Sequence, residues 1–222
     1  MDTSVKKIKM SKVRVLLADD HKILVEGLRG LLEPEYELVG IAEDGHELIA
    51  MAKELHPEVI IADITMPLLN GIEAIGQLKK AGSKAKVVFL TMHHDVMYAS
   101  RAFEAGASGF VLKHSAPDEL ITAIREALKG RTYVTPIIAG ELMKLYKDGA
   151  GSEKEVSGKL TSRQREVLQL LAEGKSAKEI ARILHISTRT VEFHKYHMME
   201  KLAIETSAEL IQFAIKHGII SI

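Results

Sequence analysis

Five polar residues each stand at the end of a short apolar run: Asp19 and Asp20 after VRVLLA, Asp63 after VIIA, Thr91 after VVFL and Lys113 after FVL. If those runs are parallel strands of one open sheet, their carboxyl ends converge on a single edge, where ligands of doubly wound folds bind. Three carboxylates gathered there repel one another unless a cation joins them. An all-oxygen donor set suits a hard ion such as Mg²⁺, which keeps some of its waters. A metal beside a reactive carboxylate points to phosphoryl transfer onto an aspartate, because the ion and the Lys113 ammonium can neutralise charge on the incoming oxygens. Asp63 is the expected acceptor, since it ends the central run and opens DITMPLLNG, in which Pro67 and Gly71 shape a turn, while Asp19 and Asp20 are suited to holding the metal. Taken singly, an Asp after a strand is most often a cap or loop residue, and Lys113 would be an exposed, solvated ammonium. The weight lies in finding all five at successive run ends.

A second group lies near the C-terminus, where Arg189, Glu192, Phe193, Lys195 and Tyr196 fall on the outer side of an expected helix. A face that mixes charge with aromatic rings suits the major groove of DNA. Read singly, Arg189 and Lys195 are solvated helix charges, Phe193 could equally complete the core, and His194 is a packing residue. His93 and His94, adjacent in a loop, do not form a chelating pair and read as surface loop.

The elements that must position these residues follow from periodicity. Short β-branched runs alternate with helical-period segments from Val13 to Lys129, the mark of βα units around a parallel sheet. Strands are expected at Val13–Ala18, Glu37–Ile41, Val59–Ala62, Val87–Leu90 and Phe110–Leu112, with helices near 22–33, 45–55, 71–81, 95–105 and 116–130. This set closes as a three-layer αβα sandwich around five parallel strands. Gly45, Gly71, Gly106 and Gly109 fall at element boundaries, where freedom to take positive φ is useful. A further helix is expected over 135–147, and the stretch KDGAGSEKEVSGK, 147–159, reads as a flexible linker. Beyond it all elements are helical, near 162–173, 177–184, 188–201 and 207–217. Three of the starts fit capping boxes, at Thr161/Gln164, Ser176/Glu179 and Thr206/Glu209. The second and third of these helices are joined by His185–Ile186–Ser187, short enough for a helix-turn-helix. The expected division is residues 12–131, an α/β domain; 132–159, a connecting helix and linker; and 160–222, an all-α domain of four helices.

Bulk properties exclude several classes. A chain of 222 residues suits two cores better than one, and 46% hydrophobic against 27% charged residues is an ordinary globular balance. With no Cys, disulfides and thiolate metal sites are ruled out. No apolar run reaches the roughly 20 residues needed to span a bilayer, and MDTSVKKIKM has no apolar signal segment, so a cytoplasmic protein with no membrane association is expected. Net charge is zero, and residues 160–222 carry 9 Lys+Arg against 7 Asp+Glu, too little asymmetry to argue for nucleic acid without the motif.

The segments VLLADDH, DITMPLLNG, LTMHH and GASGFVLK occur in the order and spacing of the receiver domain of response regulators, which this half of the chain closely resembles over about 120 residues. The resemblance implies a flavodoxin-like fold with Mg²⁺ held by Asp20, Asp63 and the Thr65 backbone carbonyl, and with Asp19 acting largely through water. It implies further that Thr91 turns toward the phosphoryl group while the aromatic at 110 moves inward. Tyr is more usual at that position, and Phe110 cannot make a phenolic hydrogen bond. LTSRQREVLQLLAEGKSAKEIARILHISTRTVEFHKYHMMEKL resembles the LuxR-type helix-turn-helix along its whole length, with Gln164 where Glu is usual and Ala177 where Asn is common. Joined, the two halves resemble the NarL/FixJ class. That resemblance implies phosphate contacts by Thr190 and Lys201, base-edge contacts by Glu192, Phe193 and Tyr196, and adds Thr188 to the DNA-facing set. It also implies a sensor histidine kinase as phosphodonor, a double-stranded DNA operator, and a homodimer when phosphorylated. The unphosphorylated receiver is expected to occlude the DNA-binding domain, and Leu210, Ile211, Ala214 and Ile215 could either join protomers or face their own core. The class consists of transcription regulators, not enzymes. Two rival readings are a metal-dependent phosphohydrolase, against which the adjacent rather than alternate Asp19 and Asp20 speak, and a DNA-binding protein whose receiver only dimerises.

Overall fold

The computed structural model describes residues 12–115, 117–147 and 160–220. The N-terminal stretch read as lacking a signal, residues 148–159 of the expected linker, Ala116 and the last two residues lie outside the described set. Lys147, expected to begin the linker, is the last residue of a helix.

The β-branched runs form the strands β1 (Arg14–Ala18), β2 (Glu37–Ala42), β3 (Val59–Ala62), β4 (Lys86–Thr91) and β5 (Gly109–Leu112). A sixth, β6 (Tyr133–Val134), was not anticipated, because two residues carry no periodic signal. All pair in parallel in the order β2-β1-β3-β4-β5-β6. A parallel sheet must be covered on both faces, which is why β3 reads as an unbroken apolar run and is buried throughout. One face carries α2 (Gly45–Leu55), α3 (Gly71–Lys80) and α4 (Val96–Glu104), packing Leu48, Ile75 and Ala102 against Ile60 and Phe89. The other carries α1 (Lys22–Leu32) and α5 (Pro117–Leu128), packing Leu28, Leu32 and Ile124 against Leu17 and Val88. An additional helix, α6 (Pro136–Lys147), lies against α4.

The helical domain comprises α7 (Ser162–Ala172), α8 (Ala177–Ile183), α9 (Thr188–Leu202) and α10 (Ser207–Lys216). All three expected capping boxes are formed, at the starts of α7, α8 and α10. Ser187 caps α9 by accepting from the Thr190 N–H at 3.0 Å. Val167, Leu168, Ile180, Val191, Met198 and Leu210 close a separate core. Among the described residues no helix is long and apolar enough to cross a membrane.

The two domains touch through α7 and the turn after α10. Gln77 of α3 donates to Glu166 at 2.6 Å, Arg165 Nε lies 2.6 Å from buried Glu73, and Arg101 of α4 donates to the carbonyls of His217 and Gly218 at 2.6 and 2.9 Å.

Candidate phosphoacceptor pocket and nucleic-acid interface

The chain crosses over between β1 and β3, which are neighbours in the sheet although β2 intervenes in sequence, so their ends flank the crevice left where the winding reverses. Asp19 follows β1 and Asp63 follows β3, both buried, at 2% and 4% exposure. Asp20 is at the rim. The carboxylates of Asp19, Asp20 and Asp63 and the imidazole of His21 each offer a ligand atom, and these atoms all lie within 4.8 Å of one another. Lys113, after β5, reaches across the sheet edge to place Nζ 2.7 Å from both Asp63 Oδ2 and Asp19 Oδ2. Its side chain is only 5% exposed, so the expectation of a solvated surface ammonium fails: the two buried carboxylates draw it inward. Burial raises the Asp63 pKa above the ordinary carboxylate value, although the Lys113 charge opposes it. Burial alone would lower the Lys113 pKa, but attraction to Asp63 and Asp19 outweighs it and leaves the ammonium above the usual lysine value.

The surrounding chain is shaped to bring Asp63 forward. Gly71 is required by close approach and not by its φ, since a Cβ there would stand 2.0 Å from the Asp63 carbonyl oxygen. Of the four glycines expected to use positive φ, only Gly106 does, at 98°. Thr91 is fully buried at the end of β4, where its hydroxyl accepts from the His93 N–H at 3.2 Å. Phe110 is also fully buried, paired beside Phe89. Its ring is already inside here, so in this conformation there is no outward ring to swing in.

Two histidine contacts escaped the sequence. His93 Nε2 is 2.6 Å from the Thr65 hydroxyl and its ring stacks on Tyr98, with centroids 4.3 Å apart. His94 stacks on His114, linking the loops after β4 and β5. Neither is readable from adjacency in sequence, because Thr65 and His114 follow other strands and Tyr98 is brought in by α4.

Donor chemistry fits a hard divalent cation. The cluster is rich in carboxylate oxygen, and Asp19 Oδ2 is buried with a charge partner but no directed hydrogen bond.

On α9 the outer residues are arranged as the helical spacing requires. Arg189, Phe193 and Tyr196 follow one another along one side, and Thr188 and Lys201 are exposed at its two ends. Phe193 and Tyr196 are 57% and 66% exposed, so Phe193 does not complete the core. Its ring leans on His197 at 4.3 Å. Thr190, Glu192 and Lys195 are half-buried, and the Thr190 hydroxyl lies 2.7 Å from Ser187 Oγ. His194 is half-buried, and burial with the nearby Arg163 charge depresses its pKa. Leu210 and Ala214 of α10 are buried in their own core, with Ile211 and Ile215 half-covered. The receiver grips α7 and the turn after α10, leaving Arg189, Phe193 and Tyr196 open to solvent. In this arrangement the receiver does not cover those three residues.

Residues 15–125 match the response regulator receiver domain, and residues 158–214 match the bacterial regulatory proteins of the luxR family. The chain is 37% identical to the transcriptional regulatory protein MctR of Rhizobium johnstonii over 95% of this chain and 96% of that one. Among solved structures, the RcsB response regulator of Salmonella typhimurium superposes with a TM-score of 0.63 at 30% identity, covering 94% of this chain and 99% of that one. A structure of two RcsB dimers bound to two parallel DNAs gives a TM-score of 0.56 at 30% identity, covering 91% and 98%.

Proposed function

The chain belongs to the NarL/FixJ class of response regulators, and from that premise we propose that a sensor histidine kinase phosphorylates Asp63 and so controls dimerisation and sequence-specific binding of an operator. Its receiver and LuxR-type domains make it a two-component transcription regulator and not an enzyme. The observation that carries the proposal is the gathering of Asp19, Asp20, Asp63 and Lys113 in one crevice at the sheet edge.

Asp20, Asp63 and the Thr65 backbone carbonyl would hold Mg²⁺, with Asp19 contributing through water. When bound, the ion supplies electrostatic stabilisation of the phosphoryl oxygens. The remaining work belongs to side chains. The Asp63 carboxylate oxygen attacks phosphorus and a P–O bond forms as the bond to the donor breaks. Lys113, released from Asp63 as that carboxylate becomes an acyl phosphate, meets the new phosphoryl charge. The Thr91 hydroxyl donates to a phosphoryl oxygen, and Phe110 forms the apolar wall behind it. The high local burial makes each of these contacts stronger than it would be in water.

On the output side, Thr190 and Lys201 would contact phosphates, and Glu192, Phe193 and Tyr196 base edges, with Thr188, Arg189 and Lys195 beside them in the DNA-facing set. A single helix-turn-helix covers only a half-site, so a pair is required, and the two RcsB dimers on DNA support that arrangement. The domains divide functionally near the 132–159 segment. Incubation with acetyl phosphate and Mg²⁺, followed by intact-mass measurement, tests the input step: wild type gains one phosphoryl group and Asp63→Asn gains none. An equal gain in both would refute Asp63 as acceptor.

A further inference from the structure

The loop that leaves the pocket, Met66 to Asn70, is held by the other domain. Gln169 of α7 is 2% exposed, donates from Nε2 to the Met66 carbonyl at 2.9 Å, and accepts from the Asn70 N–H at 2.8 Å. The orientation of its amide is fixed twice over, because Nε2 also faces Glu173 Oε1 at 2.8 Å and Oε1 also faces Asn70 Nδ2 at 3.3 Å. Glu173 accepts the Leu68 N–H at 3.1 Å. Leu68 itself sits at φ 65°, in the left-handed region that disfavours a branched side chain, and packs against the core of the helical domain. A buried amide that pairs with a donor and an acceptor of one loop fixes that loop as a neighbouring strand would. Between the loop and the helical domain lies a cavity of about 350 Å³ that extends from Asp20 and Thr65 to Gln169 and Gly218, so the loop has room to shift once released.

We infer that Gln169, although it belongs to the DNA-binding domain, is a positioning residue for the metal-carrying loop of the receiver, and that its grip lowers the affinity of the pocket for Mg²⁺. The inference rests on the pocket reading given above. Thr65, whose backbone carbonyl is assigned to the metal, is joined directly to Met66, whose own carbonyl Gln169 pins. The two peptide units are each planar and meet at the Met66 Cα, so with the second held the Thr65 carbonyl can move only through the two Met66 dihedrals. In the docked arrangement Lys113 Nζ lies 2.7 Å from both Asp63 Oδ2 and Asp19 Oδ2, so a cation that takes Asp63 as a ligand must compete with the ammonium while the loop is held. Coupling of this kind is reciprocal: if docking weakens cation binding, the cation weakens docking. This route runs along the backbone after β3. It needs neither a phosphoryl group nor movement at Thr91.

The test is calorimetric titration of MgCl₂ into the full-length protein, paired with small-angle scattering to read domain separation. Gln169→Ala is expected to bind Mg²⁺ about fivefold tighter than wild type, the low end of ordinary allosteric coupling. Gly218→Ala supplies a second release that leaves Gln169 itself intact, since a Cβ there would stand 2.6 Å from Tyr98 Cζ in a residue at φ 60°. It should tighten Mg²⁺ binding in the same direction, and Mg²⁺ alone should expand the wild-type protein. Equal Mg²⁺ affinity in wild type and both variants, with scattering showing their domains parted, overturns the inference and leaves the pocket reading intact. Mg²⁺ binding that is unaltered by Asp63→Asn overturns the pocket reading, and the inference with it.

Discussion

The crevice at the strand ends and the outer side of α9 are both polar, yet they are finished to different degrees. In the crevice, Asp19 and Asp63 are buried and share the single buried ammonium of Lys113. On α9, Arg189, Phe193 and Tyr196 remain open to water. Buried charge is tolerated only when its partners are built in, so the chemistry of the crevice is set by intramolecular geometry. An exposed mixture of charge and aromatic surface acquires its meaning from what lands on it. Substitutions in the first region should therefore disturb the fold as well as the activity. Those in the second should alter recognition while leaving the fold unchanged.

The widest gap between the regions is expected for Lys113→Ala. Removing one partner of a buried ion pair strands the other, and a loss of about 3 kcal/mol in urea unfolding is expected, partly restored by Mg²⁺. Full stability without Mg²⁺ would show that the carboxylates do not need the ammonium. Tyr196→Ala, by contrast, should leave unfolding unchanged and relax preference at one operator position by about 2 kcal/mol, as read by binding to single-base variants of a selected site. Uniform weakening at every position would move Tyr196 from the base-reading set to the phosphate-contacting set, which Lys201→Ala should exemplify by lowering the salt slope by about 1. Ser187→Ala, which removes the cap of α9 while sparing its outer residues, should cost about 1 kcal/mol of stability with unchanged base preference.

The smallest effect is a pH dependence in the crevice. Burial raises the Asp63 pKa in the fold above its unfolded value. Its contribution to stability is therefore full below the unfolded pKa and is lost as pH rises through the folded one. Asparagine carries no such dependence. Without metal, the stability of Asp63→Asn relative to wild type should therefore rise as pH increases through the Asp63 pKa and fall back in acid. Thermal melting across that range measures it, and a gap that widens in acid would reverse the assigned sign.

Legibility in the sequence divides along the same line. Asp19, Asp63, Thr91 and Lys113 were readable because a parallel sheet turns each β-branched run into a strand and sends its next residue to a common edge. The three capping boxes were readable because their chemistry is local. The burial of Lys113 was not, since only the sheet order brings it to Asp19 and Asp63. Gly71 was recognised as special for the wrong reason: its neighbour is the Asp63 carbonyl, and the turn itself needs no positive φ. β6 was too short to announce itself. Gln169, Glu173 and Asn70 gave no signal, because a glutamine or glutamate on an amphipathic helix looks solvated until a loop about a hundred residues away is laid upon it. Phe193 was undecided between core and surface, and the phase of α9 in its own domain settles it outward.

The central claim, that phosphorylation at Asp63 governs operator binding, is tested most directly by the affinity of the full-length protein for DNA fragments selected from a random pool, measured by fluorescence anisotropy with and without acetyl phosphate and Mg²⁺. A gain in affinity of tenfold or more on phosphorylation, absent in Asp63→Asn, is the predicted result. Identical affinities for phosphorylated wild type, unphosphorylated wild type and Asp63→Asn would contradict the account.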